Sequence, residues 1–371
     1  MIRIYAPDIG NGSLAIVARG IRSVLEELGV FAGLMPIDSA AMDGELQDGV
    51  EAPIALVVGN PNWVGFPLAY GRHKKIIVEY APNTRKQPMS MLKTMLAAKV
   101  AMIITPSEWC RRVLIESWGE QIPVEVVRHG IDSRFRVVHS AAPENRFVIL
   151  HHAASSPERK GTLELIQAVT EWGRDDVELD ISCSIPTAMQ ISNSMDFRQS
   201  TTCRLLLPVP PLLPVPGAHT GATQRIANTW PESAIEQYRH CHVVCQPSRS
   251  EGFGMVPLEA RACGVPVVMT CTTGHGEHVW TTSKYAGWGE QILEVGIVDI
   301  PVREDAPLIC EMGAMAPRVD PDLILASLKE ARGRFDTLKR EVLDSARAVG
   351  EKWTWKAQVA PWAKRICEDI A

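Results

Sequence analysis

No run of eighteen consecutive apolar residues occurs in the chain, so a transmembrane helix is not expected. The first residues, Met1-Ile2-Arg3-Ile4-Tyr5-Ala6, reach a turn at Pro7-Asp8 without the apolar core of a secretory signal. A cytoplasmic protein is therefore expected. The nine cysteines are odd in number and irregularly spaced, and several lie in apolar strands, which points to reduced, buried thiols rather than a disulfide framework. A strong excess of one charge is also lacking. The net charge of −5 gives no global case for binding nucleic acid or an anionic membrane. Its distribution is uneven: residues 72–136 carry twelve Lys/Arg against six Asp/Glu. That asymmetry is compatible with an acidic partner on one face of the first half, and equally with solvated helix faces balanced elsewhere.

At 371 residues, with 46% hydrophobic and 22% charged residues, the chain is a soluble globular protein long enough for two domains. Apolar runs at Ile2–Tyr5, Ile54–Val58, Lys75–Val78, Val100–Ile104 and Val124–Val127 alternate with helical segments, the pattern of a doubly wound parallel sheet. Ser107 is placed to cap the helix that carries Trp109 to Trp118. The small, polar, proline-bearing run Val138 to Asn145 reads as an interdomain linker. The expected division is a first domain over residues 1–140, a second over 145–345 and a terminal helix over 350–371. In the second domain, strand Phe147–Leu150 precedes Arg159-Lys160-Gly161 and a helix from Thr162 to Trp172. From 205 to 216 the apolar sequence is broken by prolines that argue against an interior strand or helix, leaving an ordered loop or insertion. Asp322 to Leu343 reads as one amphipathic helix, and Trp353 to Ile370 as the last.

The chemistry is concentrated after strand Val243-Val244-Cys245, in Pro247-Ser248-Arg249-Ser250-Glu251-Gly252-Phe253-Gly254-Met255-Val256-Pro257-Leu258-Glu259. Proline fits only in a first helical turn, so Pro257 sets a helix start near Gly254 or Met255. A glycine loop between a strand and a helix N-terminus presents backbone N–H groups and a positive dipole end to an anion. Ionised carboxylates only accept hydrogen bonds and hydroxyls donate them, so Glu251 and Glu259 beside such a terminus suit a ligand with both phosphate and hydroxyl groups. Arg159 and Lys160 bring two cations to another strand-to-helix turn. Gly10-Asn11-Gly12-Ser13-Leu14-Ala15 opens the first helix in the G-x-G-x-x-A form of a dinucleotide fingerprint, but Asp38 is a late and poor candidate for its acidic partner. His240-Cys241-His242 with Cys245 is a weak metal pattern, because neighbouring residues on a strand face opposite ways.

Glu251, Gly-Phe-Gly and a second glutamate eight residues on resemble the signature of family 4 retaining glycosyltransferases of the GT-B fold. The resemblance implies two Rossmann-like α/β domains facing a cleft, with a C-terminal helix crossing back to the first. It implies a hexosyltransferase that moves sugar from a nucleotide-diphosphate sugar, a UDP- or GDP-sugar, to a hydroxyl. By the same resemblance Glu251 orients the sugar hydroxyls, Glu259 binds the ribose, and Lys160 with Arg159 grips the diphosphate. Gly252, Phe253, Gly254, Met255, Val256, Gly10, Gly12 and Gly274 would complete the donor site. The family places an arginine several residues before its Lys-Gly; this sequence has none there, and Arg159 is the substitute. Where many relatives present a histidine near the reacting carbon, this sequence reads Val78-Glu79-Tyr80-Ala81-Pro82, so Glu79, with His129 and His152, is an acceptor-side candidate. Cations and helix N–H groups can offset charge on the leaving phosphate. No cofactor is then required, and no Asp-x-Asp cluster is expected to hold a metal. The acceptors in view are a glycan, a lipid at an anionic surface, or a hydroxymethylated base in DNA held through residues 72–136. The competing readings are a GT-B-type sugar-nucleotide epimerase, a nicotinamide oxidoreductase resting on the first glycine loop, and a catalytically silent sugar-nucleotide sensor.

Overall fold

A computed structural model describes residues 1–7, 12–37, 52–154, 156–208, 223–226, 230–279, 296–309 and 315–368. The chain forms two compact units, Met1–Asp132 with Lys352–Ala371, and Ser133–Glu351.

The first unit alternates β1 (Ile2–Ala6), α1 (Ser13–Glu27), β2 (Ala32–Pro36), β3 (Ile54–Val58), α2 (Gly65–Tyr70), β4 (Lys75–Glu79), α3 (Met89–Ala97), β5 (Met102–Thr105), α4 (Glu108–Trp118) and β6 (Val124–Val126). Its sheet runs β2-β1-β3-β4-β5-β6 with every pair parallel. All five residues of β3 are buried, as a strand covered by helices on both faces requires. Ser107 Oγ accepts from the Cys110 N–H at 3.1 Å and caps α4.

The second unit contains β7 (Phe147–Ala154), α5 (Thr162–Trp172), β8 (Val177–Cys183), α6 (Ile185–Ser192), α7 (Met195–Gln199), β9 (Cys203–Pro208), β10 (Thr223–Ile226), α8 (Glu232–Arg239), β11 (Val243–Gln246), α9 (Met255–Ala262), β12 (Val267–Met269), α10 (Gly276–Val279), β13 (Ile297–Asp299), β14 (Arg303–Ile309), β15 (Met315–Arg318), α11 (Pro321–Gly333) and α12 (Phe335–Lys352). Its main sheet runs β10-β9-β8-β7-β11-β12-β13, again all parallel. The chain builds outward from β7 to β10, then returns to the other side of β7 with β11. The loops after β7 and β11 therefore diverge at the carboxyl end of adjacent strands, the switch point where parallel α/β sheets bind ligands. A pair, β14 and β15, stands apart as an antiparallel ribbon.

The last helix, α13 (Trp355–Glu368), belongs to the first unit and packs on α1. A Cβ at Gly20 would lie 2.2 Å from the Trp355 ring, so a helical glycine is what admits the indole. Lys356 pairs with Glu27 at 3.0 Å, and Arg365 with Glu125.

Three local expectations are corrected. Cys203–Pro208 is a strand with neighbours on both sides, β8 and β10, because the first proline falls on its last residue and leaves Leu205 to Leu207 free to pair and be buried. The remainder of the proline-rich run lies outside the described residues. The expected linker is docked on the second unit, where Val138 N donates to Cys263 O at 3.2 Å and Ala141 N to Arg239 O at 2.7 Å. The helix read from Asp322 to Leu343 is two helices, α11 and α12, broken at Arg334. Among the described residues no helix is long and apolar enough to cross a membrane.

Candidate functional site

The turn after β7 and the loop after β11 are fitted to one another by a glycine. Gly161 has φ +66°, and a Cβ there would sit 2.2 Å from the Pro247 carbonyl oxygen. Only glycine tolerates both the left-handed backbone and that approach. Arg249 N then donates to Arg159 O at 2.9 Å, and the Arg249 side chain pairs with Glu164 on α5. These contacts bring Arg159 and Lys160 to Glu251.

The two cationic side chains converge on a single atom of the third. Lys160 Nζ lies 2.5 Å and an Arg159 guanidinium nitrogen 3.0 Å from Glu251 Oε1. The same Arg159 nitrogen donates to Ser250 O at 2.8 Å. Lys160 and Glu251 are buried. Burial alone would raise the Glu251 carboxyl, but Arg159 and Lys160 outweigh it and hold the group well below the usual carboxylate range. Burial lowers Lys160, and Glu251 opposes that shift. The result is an ionised carboxylate within a cationic pair at the end of a parallel sheet, where α5 and α9 both begin.

The loop after β12 closes on this cluster. Glu251 N donates to Thr273 Oγ1 at 3.0 Å, and Gly274 N to Glu251 O at 2.9 Å. Thr273 has φ +54°, a costly conformation for a β-branched residue. A Cβ at Gly274 would lie 2.2 Å from Gly252 O, so the glycine at 274 lets the backbones touch. Gly254, with φ +82°, precedes α9, and a Cβ there would meet the His275 ring at 2.1 Å. His275 is buried and hydrogen-bonded through Nδ1 to Thr270 O at 3.2 Å; burial pushes its pKa down to about 4, so it is a neutral ring beside the charged cluster. Phe253 is buried, while Met255 and Val256 are half-buried on the first turn of α9.

Glu259 is also buried, one turn beyond the α9 N-terminus, and its Oε2 accepts from the Tyr238 hydroxyl at 3.0 Å. His152 lies in the second unit with its ring 5.7 Å from that of Tyr238, and its Nε2 is buried without a hydrogen bond. Glu79 and His129 belong to the first unit, where His129 Nε2 meets Glu79 Oε1 at 3.0 Å and Glu79 Oε2 is buried with no partner. His152 is on β7, in the second unit. His151, its neighbour, is a saturated core residue, bonded to Cys245 O and to Thr162 Oγ1 at 2.8 Å each. Gly12 caps α1, and a Cβ there would meet nothing within 4 Å, so local crowding does not demand glycine at that position; Gly10 lies outside the described residues.

The weak metal pattern separates: His240 Nδ1 bonds Glu236 O at 2.9 Å and His242 Nδ1 accepts from Val148 N at 3.0 Å. One Asp-x-Asp does occur, Asp320-Pro321-Asp322, contrary to expectation. It heads α11, where Asp320 pairs with Arg303 at 2.6 Å and Arg318 at 2.7 Å. Tyr238, which contacts Glu259, was missed by sequence reasoning, while His275 lies beside Gly274 in the loop the sequence reads at the same sheet edge. His275 stands inside a glycine-flanked loop after a strand, which is a usable signal; Tyr238 offers none beyond its place on a helix.

Solved structures with this fold include sucrose-phosphate synthase from Thermosynechococcus elongatus, with a TM-score of 0.67, 14% identity and coverage of 100% of this chain and 98% of that one. Anabaena HepE in complex with UDP and glucose gives a TM-score of 0.63 at 14% identity, covering 100% and 98%. WaaG, a glycosyltransferase involved in lipopolysaccharide biosynthesis, gives 0.61 at 12%, covering 99% of each. With its two parallel-sheet units, the chain thus has the GT-B fold. The family model of glycosyl transferases group 1 matches residues 221–286, the stretch that carries Tyr238, Glu251, Glu259 and His275. The chain is 26% identical over 226 residues to the D-inositol 3-phosphate glycosyltransferase of Arthrobacter sp. (strain FB24), covering 57% of this chain and 50% of that protein. It is 52% identical over 44 residues to the enzyme of the same name from Corynebacterium jeikeium (strain K411), covering 12% and 10%. The chain thus spans at most half the length of these two curated relatives.

Proposed function

We propose that this protein is a retaining glycosyltransferase that moves a hexose from a nucleotide-diphosphate sugar, a UDP- or GDP-sugar, to a hydroxyl acceptor. The observation that carries the reading is the convergence of Arg159 and Lys160 on Glu251 at the sheet's switch point. The group 1 family match over residues 221–286 supports it, and so do fold relatives solved with UDP.

In this reading the diphosphate lies against Arg159, Lys160 and the amide-rich start of α9. As the glycosidic bond breaks, negative charge grows on the leaving phosphate, and these fixed cations and N–H groups stabilise it more than the ground state. The ionised Glu251 carboxylate accepts hydrogen bonds from sugar hydroxyls, which fixes the ring over the phosphate. Glu259 accepts from the ribose hydroxyls. The charge offset is built from side chains and backbone, so the reaction needs no metal. The acceptor attacks on the face that the diphosphate leaves, which preserves the anomeric configuration, and Glu79 with His129 contacts the acceptor.

The test is incubation with a panel of nucleotide sugars, in chelator, following released nucleoside diphosphate with and without glycan, lipid and hydroxymethylated-DNA acceptors. Release that depends on one donor and one acceptor class, with the product's anomeric configuration unchanged, is the expected result. No binding or release with any donor overturns the reading. If DNA is the acceptor, transfer falls steeply with salt, because phosphate contacts dominate such binding.

A further inference from the structure

We infer that Tyr238 is a positioning residue for nucleotide recognition: its hydroxyl aims the Glu259 carboxylate at the ribose of the donor. The inference rests on the donor-site reading above and adds to it a residue outside the glycine loop.

Tyr238 and Glu259 come from different helices, α8 and α9, and their contact spans 21 residues of sequence. Both are buried, at 1% and 4% exposure. A phenol carries one proton, so in donating to Glu259 Oε2 at 3.0 Å the Tyr238 hydroxyl spends its whole donor capacity on that carboxylate. Burial, and then the adjacent Glu259, push the phenol's pKa well above its ordinary 10, so it stays a donor at any working pH.

The ring cannot swing away from this task. Its centroid lies 6.1 Å from that of Phe135 on one contact and 5.7 Å from that of His152 on another, both tilted. Phe135 in turn meets Trp230 edge-on at 5.6 Å. A ring held between two others fixes where the phenol oxygen sits, and with it the place of the carboxylate oxygen it binds. A carboxylate that must accept from hydroxyls of a ribose needs its oxygens held in place, because each accepts only from donors within hydrogen-bond reach. A tyrosine kept only for packing at this position would be replaceable by phenylalanine; the buried hydroxyl is explained by what it holds.

A purely structural bond between α8 and α9 would change stability without changing which nucleotide is preferred. The readout is therefore a ratio. Affinities for UDP, GDP and ADP are measured for the wild-type protein by calorimetry, and the best of the three is compared with its 2′,3′-dideoxy counterpart. Inorganic pyrophosphate probes the phosphate subsite alone. In Tyr238→Phe the ribonucleotide weakens by about tenfold, the loss expected for one hydrogen bond to a charged group, while the dideoxynucleotide and pyrophosphate are unchanged, so the ribose preference collapses. Glu259→Gln should collapse it as well. An unchanged ratio in Tyr238→Phe, or an equal loss for both nucleotides, overturns the inference. If that variant does not fold, 3-fluorotyrosine at 238 keeps ring and hydroxyl, and a ratio that does not move with the stronger donor overturns it. No binding of any nucleoside diphosphate by the wild-type protein overturns the donor-site reading instead.

Discussion

Mild acid should destabilise the second unit through its buried histidines. His151 and His275 are 0% and 2% exposed, and burial, the largest cause for each, lowers their pKa from 6.5 to about 4. His151 has no room for a second proton without cost: Nδ1–H donates to Cys245 O, which leaves Nε2 to accept from Thr162 Oγ1. A folded-state pKa below the unfolded one means that the unfolded chain takes up protons first. The stability is complete above about pH 6.5 and is lost as pH falls toward 4. Between about pH 7.5 and pH 5 each ring accounts for about 2 kcal/mol, so the pair removes about 4 kcal/mol. His152 acts in the same sense, its pKa pushed down to about 3 by burial, His151 and Lys160. Asp180 and Asp299, raised by burial, act in the opposite sense and offset part of this loss. The lowered Glu251 carboxyl contributes only at still lower pH. The assay is urea unfolding by circular dichroism at a series of pH values, with His151→Asn as the comparison. That substitution should take about half of the two-ring effect out of the pH slope. Equal stability at both ends of the range, or an unchanged slope in the variant, would show that these rings are not neutral and buried as described.

Glu251→Gln should lower transfer more than about a hundredfold while the circular dichroism spectrum stays native; retained activity would refute the carboxylate's role in holding the sugar. Gly274→Ala would push a Cβ to 2.2 Å from Gly252 O and 2.7 Å from Glu251 O, so the donor loop must shift. A loss of about a hundredfold in kcat/KM is expected from such a displacement, and wild-type kinetics would show that the two loops need not touch. Glu79→Gln should raise the acceptor KM and leave the nucleoside diphosphate affinity as it was; a changed affinity with an unchanged acceptor KM would place Glu79 in donor binding.

Much of the fold was legible because parallel strands covered on both faces must be continuously apolar, as in Ile54–Val58, and because caps such as Ser107 mark where helices begin. The candidate donor loop was legible for a similar reason: Pro257 is best accommodated in a first turn, which places Gly254 before the helix, and it lies there, at φ +82°. Local rules failed where a neighbour overrode them. Pro208 closes a strand instead of forbidding it, since its missing N–H falls at the strand's last residue. The polar run after Val138 is held by hydrogen bonds to Cys263 and Arg239 that no local pattern announces. The residue types of the candidate site, two cations before one helix and two carboxylates around the start of another, are readable along the chain, because the spacing of loops and breakers is a local property. Only the tertiary structure decided that Arg159 and Lys160 meet one oxygen of Glu251, that His275 packs on Gly254, and that Tyr238 holds Glu259. Those contacts join segments 21 to 92 residues apart, and it is the order of strands around β7, rather than any local preference, that makes them neighbours.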